Sequence, residues 1–374
     1  MICIGLGIVL AGLLIWLAVL LFKTEEPKPV ETLPETTAPP PKETQPMTTA
    51  PETEAPTEPA KQEPVRLLFA GDVQLSSHVM GAYGKAGDDI SGVVGEAYLE
   101  RMREADIFMV NEEFPFSDRG TAADKQYTFR SPPEHVSLLK DMGIDIVTLA
   151  NNHALDYGRD ALLDTCDTLD RAGIRYVGAG SDLERAKKLE TIEANGRTIG
   201  FLGASRVIPT GSWNAGENTP GMLTTYDPAV LLEEIQKAKE VCDYLVVYVH
   251  WGIERNDKPE TYQRTMGKQY IDAGADLVIG SHPHVLQGIE YYDGKPIVYS
   301  LGNFVFGSSI PKTMLLEAVV DEDQVTLSLI PGTSSAGFTR ELTDEGQIAQ
   351  FYQYIEGISF GIGIDGDGRI IPPQ

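Results

Sequence analysis

Six short apolar runs, each closed by side chains that bind metals or move protons, constrain this chain more than any other feature. Arg66-Leu-Leu-Phe-Ala70 ends at Gly71-Asp72, and Asp106-Ile-Phe-Met-Val110 ends at Asn111-Glu112-Glu113. Asp145-Ile-Val-Thr-Leu-Ala150 ends at Asn151-Asn152-His153, and Tyr244-Leu-Val-Val-Tyr-Val249 ends at His250-Trp251-Gly252. Asp276-Leu-Val-Ile279 ends at Gly280-Ser-His-Pro-His284, and Pro296-Ile-Val-Tyr299 at Ser300-Leu-Gly-Asn303. Apolar runs of this length read as buried strands. Between them lie helical stretches such as Asp227-Pro-Ala-Val-Leu-Leu-Glu-Glu-Ile-Gln-Lys-Ala-Lys239, apolar at helical spacing. The alternation predicts an α/β domain over residues 65–374.

In open α/β sheets, ligands bind beyond the carboxyl ends of the strands. Four of the six histidines (153, 250, 282 and 284) stand at such ends. One alone would read as an ordinary polar residue closing a strand. Four together, with carboxylates and an amide, point to one shared site. Imidazole, carboxylate and amide oxygen suit Zn, Mn, Fe or similar divalent ions. The set exceeds what one tetrahedral ion needs. Two ions about 3.5–4 Å apart, sharing a carboxylate, would use all of it, activate water at neutral pH and stabilise a phosphoryl group in transfer. In His282-Pro283-His284 both rings can face one cavity and serve different ions. No Cys-x-x-Cys occurs, so thiolate zinc sites are not expected, and Cys166 and Cys242 read as buried free thiols.

The formal charge of −25 excludes capture of nucleic acid, which needs clustered Lys and Arg. Residues 2–22 carry no charge and are long enough to span a bilayer core. The stretch exceeds a signal-peptide hydrophobic region, and nothing basic precedes it. Residues 1–23 therefore read as a single-pass transmembrane signal anchor. Residues 24–64 are Pro, Thr and Glu with almost no large apolar side chains, a disordered linker that holds the domain outside the cytoplasm. Asp365-Gly-Asp367-Gly lacks a full calcium-loop pattern and reads as a turn. His135 reads as a surface residue, and Trp251 as packing.

The ordered motifs GD, NEE, ANNHALDYG, HWG, GSHPHVLQG and YSLGNFVF, spread over residues 66–308, resemble the CapA family of poly-γ-glutamate capsule proteins, part of the wider metallophosphoesterase-like group. Tyr127-Thr-Phe-Arg130 and Tyr176-Val-Gly-Ala-Gly180 fit the same pattern. The resemblance implies a layered αββα sandwich with its site at the strand ends. It implies two divalent ions. Asp72, Glu113 and His284 would hold one; Asn152, His250 and His282 would complete the other, with Glu113 in the bridging position. His153 would be the catalytic proton donor, and Arg130 a group that binds substrate anions. Two departures stand out. The phosphoesterase pattern has Asp-x-His at the first strand, where this chain has Asp72 and Gln74, and its bridging Asp is here the longer Glu113. His78 reads as an exposed loop residue. The resemblance implies a membrane-anchored factor in the biosynthesis, export or processing of an anionic envelope polymer, working with membrane proteins of capsule synthesis. A metal-dependent hydrolase acting on a phosphorylated envelope substrate, or a non-catalytic scaffold, are the alternatives.

Overall fold

The apolar runs become strands because both of their faces are covered. In the computed structural model, which describes residues 63–322 and 324–373, β1 (Val65–Val73) is buried throughout from Leu67 to Val73. Leu67 and Phe69 face one hydrophobic core, Leu68 and Ala70 another. The expected anchor, residues 1–23, and residues 24–62 of the expected linker lie outside the described residues. Among the described residues no helix is long and apolar enough to cross a membrane.

All six runs form strands, joined by several more. They are β1, β2 (Ile107–Glu112), β3 (Ile146–Thr148), β4 (Arg175–Val177), β5 (Glu190–Ala194), β6 (Arg197–Ser205), β7 (Tyr244–His250) and β8 (Leu277–Ser281), then β9 (Leu286–Tyr292), β10 (Lys295–Leu301), β11 (Asn303–Val305), β12 (Ser309–Val320), β13 (Val325–Ser335) and β14 (Phe338–Glu341). The first sheet has the order β14-β13-β12-β1-β2-β3-β4, with β11 also paired to β1. Its β1–β4 half is parallel and its β12–β14 half antiparallel. The second has the order β9-β10-β8-β7-β6-β5, parallel through its centre.

Three cores define the layers. One lies between the sheets, where Phe69, Met109 and Ile146 meet Phe201, Val246 and Ile279. A second covers the outer face of the first sheet with Tyr98, Leu99 and Met102 from the helix Glu96–Glu104 and Leu162 and Leu169 from the helix Arg159–Ala172. The third covers the second sheet with Leu231 and Ile235 from Ala229–Lys239 and Met266 and Tyr270 from Thr261–Ala273. The result is the expected mixed α/β sandwich, layered αββα. Cys166 and Cys242 are free, buried and in opposite outer layers. Trp251 is fully buried. His78 is exposed as expected, but it sits in the helix Ser77–Lys85 rather than a loop, because Ser76 caps that helix by accepting from the Val79 N–H. His135 is half-buried, 2.8 Å from the Ser131 hydroxyl, and less of a surface residue than expected.

Candidate metal centre

Register brings the polar strand ends together. Asp72 pairs with Asn111 across β1 and β2 and with Asn303 across β1 and β11. His250 pairs with Ser281 across β7 and β8 and with Ser205 on β6. The first sheet thus contributes Asp72, Glu113 and the Asn151-Asn152-His153 turn, and the second contributes His250, His282 and His284. Two glycines permit the close packing this requires. A Cβ on Gly71 would lie 1.8 Å from the Gly302 carbonyl oxygen, and one on Gly280 would lie 2.0 Å from that of Tyr299.

Two groups of potential ligands result, Glu113 with His250 and His282, and Asp72 with Glu113 and His284, each with ligand atoms within 4.8 Å of one another. Glu113 belongs to both. Its Oε1 lies 3.6 Å from His250 Nε2, and its Oε2 4.0 Å from His284 Nδ1. Asn152 Oδ1 lies 2.7 Å from His250 Nε2, which puts the amide at the same group. His282 and His284 both adopt positive φ, +99° and +58°. This conformation is uncommon for residues other than glycine and clusters at functional sites. It turns both rings of the His-Pro-His segment inward, their centroids 5.8 Å apart.

The residues fit divalent ions. Both carboxylate oxygens of Glu113 and His282 Nδ1 are buried without a hydrogen-bond partner among the described residues, and Asp72 Oδ2 faces His284 Nδ1 at 3.2 Å. Buried acceptors are normally satisfied, and unpaired carboxylates in such surroundings are costly. Burial, reinforced by the Asp72 charge, pushes the Glu113 carboxyl well above its usual range. Burial drives His250 well below the ordinary imidazole value and His282 down to about 4, so both rings are in the neutral form that metals bind. Burial also opposes charge on His284, but Glu113 and Asp72 overcome it and raise the ring to about 10. Ions held here would supply concentrated positive charge able to polarise a phosphoryl or carbonyl oxygen and to gather carboxylates.

A supporting shell orients these groups, and several of its members were not singled out from the sequence. Asn111 donates to Asp72 Oδ1 at 2.8 Å, and Asn151 donates to Asn111 Oδ1 at 3.0 Å. Ser281 Oγ lies 3.0 Å from His250 Nδ1, and Asn303 Oδ1 2.8 Å from His284 Nδ1. Such partners fix ring orientation and ligand basicity. His153 belongs to neither ligand group. Its Nδ1 lies 2.6 Å from Asp156 Oδ2, and the Phe129 ring stacks on it at 4.1 Å. Lys125 Nζ reaches Asp156 Oδ1 and the Asn152 carbonyl, each at 2.5 Å. Burial lowers the His153 pKa despite the Asp156 contact. With Nδ1 engaged, Nε2 is left for proton transfer.

Gln74 is buried beside the site, its backbone N–H bonded to the Val305 carbonyl, and belongs to neither group. His78 likewise belongs to neither group. Arg130 belongs to neither group and is exposed, its guanidinium 4.3 Å from the Tyr157 ring centroid.

The family model for the bacterial capsule synthesis protein PGA_cap matches residues 66–308. The chain belongs to the PGA_cap family. That match spans every residue of the two ligand groups. Among similar PGA_cap relatives, the PGA biosynthesis protein CapA of Bacillus subtilis (strain 168) is 38% identical over 249 residues, 66% of this chain and 64% of that one. The capsule biosynthesis protein CapA of Bacillus anthracis is 32% identical over 301 residues, 77% of this chain and 72% of that one. This chain therefore spans a little under two thirds of the first relative's length. A novel phosphatase from Mycoplasma pneumoniae, 15% identical with a TM-score of 0.43, aligns over 79% of this chain and 99% of its own.

Proposed function

We propose that this chain is an accessory factor of poly-γ-glutamate capsule synthesis, working outside the cytoplasm from an N-terminal membrane anchor and linker, and that its strand-end centre holds two divalent ions, Mn, Zn or Fe. The carrying observation is Glu113, a buried carboxylate with no hydrogen-bond partner among the described residues that belongs to both ligand groups. In this reading the ions receive carboxylates of the polymer. That accounts for an acidic domain handling a polyanion, because the attraction comes from the cations rather than from Lys and Arg. Capsule-synthesis membrane proteins are its expected partners. The names of its relatives support the polymer. Domain bounds of 1–23 for the anchor, 24–64 for the linker and 65–374 for the metallophosphoesterase-like domain belong to the same reading.

A hydrolytic role is the second reading, favoured by the His153–Asp156 contact beside the centre. Here His153 Nε2 protonates a leaving group while Asp156 steadies the ring.

One experiment addresses both. Elemental analysis of the full chain, purified without chelating resin, should find near two ions per chain. Glu113→Ala should lose both and His282→Ala at least one. Loaded protein should bind poly-γ-glutamate, and chelator should abolish that binding. An ion-free protein that stays empty after metal addition would sink the reading. Turnover of an aryl phosphate that disappears in His153→Ala while the ions remain would favour hydrolysis.

A further inference from the structure

Many cations among the described residues are answered by carboxylates, in a chain with 55 acidic against 30 basic residues. Arg66 pairs with Glu317, Arg101 with Glu341, Arg119 with Asp164 and Arg264 with Glu290. Three arginines around the candidate centre, like several cations elsewhere among the described residues, are not answered in this way. Arg130, Arg206 and Arg255 make no ion pair with a carboxylate among the described residues.

Each is tied to the centre by a short route. Arg130 follows Phe129, whose ring stacks on His153, and its guanidinium lies over Tyr157, the neighbour of Asp156. The Arg206 N–H donates to the His250 carbonyl at 2.7 Å. Its guanidinium lies 3.8 Å from the Tyr226 ring centroid and 5.3 Å from that of Tyr262. The Arg255 N–H donates to the Pro283 carbonyl at 2.8 Å, at the middle of the His282-Pro283-His284 turn. Arg130 and Arg255 are exposed and Arg206 half-buried. The guanidiniums of Arg130 and Arg206 rest on tyrosine faces, which hold them in place with N–H groups that match a carboxylate in a two-point fork, whereas Arg255 is placed by its backbone alone.

We propose that Arg130, Arg206 and Arg255 form a guanidinium rim that receives the flanking carboxylates of an extended polycarboxylate chain whose nearest carboxylates lie at the centre. This inference rests on the polymer reading above and adds to it. The ions would take one carboxylate of the chain, and the rim those that flank it. Three separated cations in a chain of net charge −25 suit a flexible carboxylate polymer rather than a densely charged nucleic acid.

The test is binding of fluorescently labelled poly-γ-glutamate to the Mn-loaded full chain. The rim variant carries Arg130→Gln, Arg206→Gln and Arg255→Gln. A charge-matched control carries Arg103→Gln, Lys140→Gln and Lys239→Gln. Those three lie near the ends of helices that lead into the amino ends of β2, β3 and β7, the opposite edge of the sheets. The rim variant should keep wild-type ion content and a cooperative melting transition. It should bind the polymer about tenfold or more weakly, with the control within about twofold of wild type. Equal weakening in both variants, or wild-type polymer affinity in the rim variant, would overturn the rim. If wild-type protein binds no polymer at all, the rim and the polymer reading fall together. If binding survives chelator but weakens in the rim variant, the rim stands and the cation bridge is lost.

Discussion

Gly280 shows how little room the strand ends leave. A side chain there would enter the Tyr299 carbonyl and the Trp251 indole, at 2.0 and 2.3 Å. Neither neighbour can retreat, since one is backbone and the other is fully buried. Gly280→Ala should therefore cost about 3 kcal/mol or more in urea denaturation. Gly357→Ala, within the helix Glu345–Ile358 and with nothing near its Cβ, should instead be neutral or stabilising by up to about 1 kcal/mol. At this scale the sequence was informative about residues that carry their own chemical signal. His282 and His284 announce themselves by rarity and spacing. Asn111 and Asn303 do not, because a lone amide becomes a supporting contact only through the register that sets both opposite Asp72. Asp156 could have been found from its position three residues after His153 in Asn-His-Ala-Leu-Asp, which places it on the same side of a tight turn.

The helix Thr261–Ala273 is fastened to the second sheet by one buried acid. Glu290 on β9 accepts from Arg264 Nε and Nη2 at 2.9 and 2.8 Å and from the Tyr299 hydroxyl at 2.7 Å, with Lys268 Nζ 2.9 Å away. Burial opposes its charge, but these donors, Arg264 first, hold its pKa down at about 2. A carboxylate depressed in the folded state stabilises above its unfolded value near 4.5 and loses that contribution as pH falls towards 2. Glu290→Gln should lower stability by about 2 kcal/mol at pH 7. The gap between wild type and variant should close between pH 4.5 and 2 in an acid-unfolding series. A gap that stays constant across that range would show that shape, not charge, is what Glu290 contributes. The strands were legible where apolar runs were continuous. β6 escaped because Gly200 and Gly203 interrupt its run. The antiparallel β12–β14 extension escaped because Gly332 and Pro331 break its pattern, and its partners are fixed by long-range pairing.

Across the whole molecule, the two sheets are joined by their shared core and by a hydrogen bond just beneath the site. The buried Tyr248 hydroxyl of β7 donates to the Ala70 carbonyl of β1 at 2.9 Å, two residues before Asp72. Tyr248→Phe should cost about 1 kcal/mol in stability. It should also weaken Mn binding measured by calorimetry, because it loosens one half of the centre against the other. Unchanged Mn affinity with reduced stability would confine that hydroxyl to packing. The α/β class was legible in the alternation of strand and helix, whereas the αββα layering came only from the family resemblance, because no strand run states which sheet it joins or faces. The division of chemistry between the sheets governs the order of assembly. The first sheet carries the acids and the second the imidazoles, so neither half alone chelates well. An ion therefore cannot act as an early template that recruits strands one by one. An ion held here would instead latch a sandwich whose sheets have already docked, and its release would be an early sign that they are parting.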